Sequence, residues 1–121
     1  MAETTNSKRY DLEERTFQFA KKVALYCKQL PKTISNVEYS KQVVRASGST
    51  GANYIEANES LSKKDFLMRV KICRKEAKES AYWLHLMSET NEEKFITEGE
   101  TLSKEAVELK KIFSSIIENS R

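Results

Sequence analysis

The chain has 121 residues, 39% hydrophobic and 32% charged, with three glycines and one proline. That composition fits a single helical domain and excludes collagen-like, Pro/Gly-rich and turn-dense β-sandwich architectures. The net charge of +3 is unevenly spread, since residues 1–78 hold 16 Lys/Arg against 9 Asp/Glu and residues 79–121 hold 5 against 9. Such a basic half either collects an anionic partner or pairs with the acidic half of its own fold or of another copy.

In chain order, residues 1–10 form a polar leader expected to fray, followed by one domain over 11–118. From Asp11 to Leu30 the apolar positions Leu12, Thr16, Phe19, Val23, Tyr26 and Leu30 recur at three- and four-residue steps, which places them on one helix stripe ending at Pro31. A second helix is expected from Ser35 to Asn58, with Val37, Ser40, Val44, Ser47, Gly51 and Ile55 facing inward. Gly48 and Gly51 each cost a helix interior about 1 kcal/mol relative to Ala, and close approach of a neighbouring helix would compensate. The third helix opens at Ser62, with Asp65 in its first turn, and keeps Phe66, Val70, Cys73, Ala77, Ala81, Leu84 and Met87 on one face as far as Ser88. Thr97-Glu98-Gly99-Glu100 has the form of a capping box for a fourth helix, lined by Leu102, Ala106, Leu109, Phe113 and Ile116. Four amphipathic helices with short connections make an all-α, antiparallel up-down bundle the expected fold. Its core should contain Phe19, Val23, Val44, Ile55, Phe66, Val70, Cys73, Leu84, Leu109, Phe113 and Ile116.

No apolar run approaches the roughly 18 residues of a membrane span, and Met1 to Arg9 have no signal-peptide hydrophobic stretch. A soluble, cytoplasmic protein is therefore expected, with no membrane partner and with Cys27 and Cys73 reduced. Residue types that carry chemistry are sparse. The cysteines fall on inner stripes without a Cys-x-x-Cys pair, and His85 projects away from Cys73, so no metal site is expected. Arg74 and His85 share a helix face, as in a helical ribonuclease, but eleven residues at about 1.5 Å rise separate them by roughly 16 Å, too far to polarise one phosphate. Glu76 and Glu79 lack the Glu-x-x-His partner of a di-metal bundle. Gly48-Ser49-Thr50-Gly51 has the spelling of an RNA-binding Gly-x-x-Gly clamp, yet it interrupts a helical pattern in a sequence without convincing strands. No catalytic residue and no cofactor is expected.

Surface patterns are richer. Lys64, Lys71, Lys75, Lys78 and Tyr82 gather on the outer face of the third helix, either as a phosphate-binding stripe or as a solvated face. A second apolar flank of Met68, Ile72, Trp83 and Leu86 exceeds what one bundle core can bury, and Phe17 and Leu25 lie off the core stripe of the first helix. Together these residues form the expected oligomer interface.

Three stretches, Ser47-Gly48-Ser49-Thr50-Gly51-Ala52-Asn53-Tyr54-Ile55-Glu56-Ala57, Ser62-Lys63-Lys64-Asp65-Phe66 and Lys75-Glu76-Ala77-Lys78-Glu79-Ser80-Ala81-Tyr82-Trp83-Leu84, resemble a bacterial family. It is the four-helix-bundle family named after open reading frames within intervening sequences of 23S ribosomal RNA genes. The resemblance runs from about Asp11 to Ile117, with Gly51-Ala52 where other members place Pro before the Asn. It implies a homo-oligomeric ring, a pentamer, without catalytic residues. Related bundles include the accessory protein of diversity-generating retroelements, a basic ring that engages reverse transcriptase and RNA. Two functions follow as expectations. One is binding of RNA, DNA or a nucleic-acid enzyme through Lys71, Arg74, Lys75 and Lys78, joined by Lys21, Lys22 and Lys28. The other is a homo-oligomeric protein scaffold whose basic stripe is solvated or paired.

Overall fold

A computed structural model of the chain describes the backbone of residues 2–120 and the side chains of residues 11–120. It contains α1 (Ala2–Gln29), α2 (Ile34–Asn58), α3 (Lys63–Glu89), a 3-10 turn (Glu93–Phe95) and α4 (Ile96–Asn119), with no strand among the described residues. The helical backbone thus begins ahead of Asp11, and the side chains of the expected leader, 1–10, lie outside the described residues. No helix among the described residues is long and apolar enough to cross a membrane.

Local chemistry sets the boundaries. Pro31 follows the end of α1, and Thr33 then caps α2 by accepting from the Asn36 amide at 3.1 Å. Ser62 caps α3 in the same way, accepting from the Asp65 amide at 3.1 Å. The buried Asn36, in the first turn of α2, exchanges side-chain amide bonds of 2.7 and 2.8 Å with Asn91 and donates to the Pro31 carbonyl at 2.9 Å, tying the start of α2 and the chain before it to the α3–α4 connection. The fourth helix departs from its expected start. Phe95 occupies the cap position without a side-chain bond and Thr97 lies inside the helix, so the Thr-x-x-Glu box does not form. The preceding 3-10 turn already delivers the chain into helix, and Glu100 bonds to α3 instead.

Contacts between neighbours run in opposite chain order. Glu13 meets Asn58 and Thr16 meets Gly51; Arg15 meets Glu105 and Tyr26 meets Phe95. Arg69 meets Asn53, and Ser103 meets Ala81. This is the arrangement of an up-down bundle, with α2 and α4 each packed on both α1 and α3. The predicted stripe of α1 is buried in full, as are Val70, Cys73, Ala77, Leu84 and Met87 of α3 and Leu102, Ala106, Leu109 and Phe113 of α4. Phe66 and Ile116 are half-buried against this core.

Helix α2 is turned by about a quarter-turn from its predicted orientation. Val43, Ala46, Ser47, Thr50, Tyr54 and Ala57 face inward, while Val37, Val44 and Ile55 are exposed, the last two at 44% and 47%. Val44 and Ile55 are therefore not core residues. The Tyr54 ring, tilted against Phe113 at 5.9 Å between centroids, is the largest group on α2 to be buried, and small residues flank it on the inward face. The two glycines also separate. A Cβ on Gly51 would meet Thr16 Oγ1 at 2.9 Å, whereas one on Gly48 would meet nothing within 4 Å. Close helix approach explains Gly51 and not Gly48.

Candidate nucleic-acid interface

The basic stripe of α3 is brought together as expected and gains a member. Lys71, Arg74, Lys75 and Lys78 line one side of a shallow groove of about 470 Å³, and Lys110 and Ser114 of α4 line the other. None of its five cations forms an ion pair among the described residues, and no carboxylate lines the groove. Lys71, Lys75 and Lys78 are exposed; Arg74 and Lys110 are half-buried. Lys110 belongs to the acidic half of the sequence, and only the packing of α4 on α3 places it here.

Four neighbouring carboxylates are engaged with other cations. Glu105 takes a bidentate pair of 2.8 Å bonds from Arg15 on α1, and Glu108 pairs with Lys111 at 3.4 Å. Glu76 and Glu79 both bind Arg45 on α2, at 3.3 and 2.5 Å. The groove is left with five clustered cations, unpaired among the described residues, a setting suited to polyanions. Its lysines and arginine present donors without acceptors, as phosphate oxygens require.

Other candidate residues fall elsewhere. Lys21, Lys22 and Lys28 are exposed on α1, across the bundle diagonal from α3, and do not join the groove. Among the apolar candidates Phe17, Leu25 and Met68 are 60%, 46% and 50% exposed, while Ile72 and Leu86 are half-buried. Trp83 is half-buried within its own chain. It stacks on Tyr39 at 5.7 Å, meets the Tyr82 edge at 5.1 Å and donates its indole N–H to Glu79 at 3.2 Å.

Nucleophile chemistry finds no support in these surroundings. Burial pushes the Cys73 thiol up to about 12 and raises that of Cys27, so both sulfurs are held protonated. His85 engages Glu100 at 2.6 Å rather than Arg74. A second cavity of about 700 Å³, unanticipated in the sequence, lies between the middle of α1, the end of α2, the start of α3 and the last turns of α4; Leu12, Tyr54, Ala57, Phe66, Ile112 and Ile116 give it an apolar lining. No single periodic stripe could announce it, because each helix contributes only a residue or a few.

Comparison with known proteins places the chain. No curated protein matches it. A crystal structure from Bacteroides thetaiotaomicron, described as a protein with unknown function from the S23 ribosomal protein family, superposes with a TM-score of 0.75 at 30% identity, over 92% of this chain and 98% of that one. Residues 8–115 match the family model of the 23S rRNA-intervening sequence proteins, and the chain belongs to that family.

Proposed function

We propose that this protein is a non-enzymatic, homo-oligomeric bundle that binds RNA or DNA, free or within a nucleoprotein, through the phosphates that fit the α3–α4 groove. The observation that carries this reading is the convergence of Lys71, Arg74, Lys75, Lys78 and Lys110 on one groove without a paired carboxylate. A solvated lysine face would need no contribution from the acidic helix. Recognition is by charge and backbone shape, with little base readout, because the groove offers cations and one hydroxyl but no aromatic in its lining.

The exposed apolar residues support the oligomer. Phe17 and Leu25 on α1 and Met68 on α3 expose apolar surface on two diagonally opposed helices. Joining unlike patches gives a head-to-tail contact, which closes into a ring when the rotation permits, and the family resemblance supports five copies for that ring. A ring repeats the groove, so weak individual contacts add on one long polyanion. These same patches favour the scaffold reading if nucleic acid does not bind.

The test is a salt-titrated binding assay near physiological ionic strength, against structured RNA, duplex DNA and an unrelated polyanion, with competitor present. The proposal expects K71E/K75E/K78E to weaken RNA or DNA binding and flatten its salt dependence by about one unit of slope per lost contact. Undiminished binding by the triple variant moves the site elsewhere. Absence of binding by the parent leaves the scaffold.

A further inference from the structure

At the opposite end of α3 from Ser62, three metal-ligating side chains from two helices converge. His85 and Glu89 lie one turn apart on α3, and Glu100 reaches them from the first turns of α4. One donor atom from each lies within 4.8 Å of the other two. We propose that His85, Glu89 and Glu100 bind a divalent transition-metal ion of the zinc class, clasping the end of α3 to the start of α4.

The convergence depends on close packing at the start of α4. A Cβ on Gly99 would meet Tyr26 Oη of α1 at 2.5 Å and Ser88 Cβ of α3 at 3.0 Å, so glycine lets the start of α4 settle close against both helices. The next residue is Glu100. Its Oε1 meets His85 Nδ1 at 2.6 Å and lies 2.6 Å from Ser88 Oγ, whose single hydroxyl proton, in a fully buried side chain, is shared between Glu100 and the His85 carbonyl at 2.8 Å. Buried hydroxyls that orient a ligating carboxylate are the usual support of a metal site. Glu89 has no hydrogen bond or ion pair among the described residues, yet it stands beside a second carboxylate. A cation between them relieves that juxtaposition.

Donor chemistry selects the ion. An imidazole nitrogen with two carboxylates favours zinc-class ions over calcium or magnesium, which prefer all-oxygen sets. Two carboxylates balance a charge of two. Donors on one zinc ion at about 2.0–2.1 Å each stand roughly 3–3.5 Å apart, so adjustment of the exposed His85 and Glu89 around the half-buried Glu100 suffices. Three protein ligands leave a position for water. His-x-x-x-Glu on one helix puts both donors on the same face.

His85 is the only histidine in the chain, which makes the test specific when no histidine tag is present. Zn2+ should bind the untagged full chain at one saturable site per copy and raise its melting temperature, reversibly with chelator. His85→Ala and Glu89→Gln should each weaken affinity at least about tenfold, and Ser88→Ala about tenfold through the orientation of Glu100. With Co2+, the ring signals of the one histidine should shift or broaden in the parent, a readout that does not depend on how the variants fold. Absence of saturable Zn2+ binding, unchanged ring signals, or affinity unaltered by His85→Ala or Glu89→Gln in a normally helical variant overturns the site. The outcome is independent of nucleic-acid binding.

Discussion

Gly48 and Gly51 stand three residues apart on α2 and face different surroundings, which gives substitutions there opposite signs. Gly51→Leu drives a branched side chain into Thr16, whose hydroxyl is anchored by bonds of 3.0 and 2.9 Å to the Leu12 and Glu13 carbonyls. Overpacking should cost about 1–3 kcal/mol despite the better helix propensity of leucine. Gly48→Ala meets open space and should stabilise by up to about 1 kcal/mol. Urea melts of the two variants check both signs. Cys73 offers a second check at this scale, because its fully buried thiol is pushed up to about 12 by desolvation. A thiol reagent near neutral pH should modify Cys73 only as fast as the bundle opens.

Among the helices, α1, α3 and α4 were legible because most of the predicted apolar stripe of each is buried, although Ile117 rather than Ile116 closes the core of α4. Helix α2 was not, since its apolar side chains occupy two faces: Val43 and Tyr54 point inward, Val44 and Ile55 outward. Periodicity alone cannot choose between such stripes; the partner for Tyr54 on α4 decides it. Val43→Asp should therefore unfold the bundle, while Val44→Asp should leave helicity by circular dichroism unchanged. Phe113→Ala, which empties a fully buried site, should cost about 3–5 kcal/mol. Phe66→Ala, at a half-buried position, should cost clearly less. The start of α4 was misplaced for a related reason. Thr97 and Glu100 have the spelling of a cap, but Glu100 has better partners in Ser88 and His85, and these belong to a different helix.

At the scale of the molecule, the groove was half legible. Its α3 wall follows from helical spacing, whereas Lys110 is visible only once α4 is packed, and Lys21, Lys22 and Lys28 share charge with the groove without sharing its face. Oligomerisation is best tested away from Trp83, because that ring also supports its own chain through Tyr39 and Glu79. Phe17→Glu or Met68→Glu should give smaller particles of unchanged helicity in sedimentation, and a parent that sediments as a monomer at micromolar concentration would contradict the ring. Binding through the groove and binding through overall basicity are separated by two neighbouring lysines. Lys110 lines the groove, whereas Lys111 is exposed and pairs with Glu108 at 3.4 Å. Lys110→Glu and Lys111→Glu change net charge equally. The most direct measurement is the salt dependence of RNA binding by these two variants beside the parent. The groove predicts weaker binding and a slope reduced by about one unit for Lys110→Glu, with Lys111→Glu close to the parent; equal losses in both variants would contradict it.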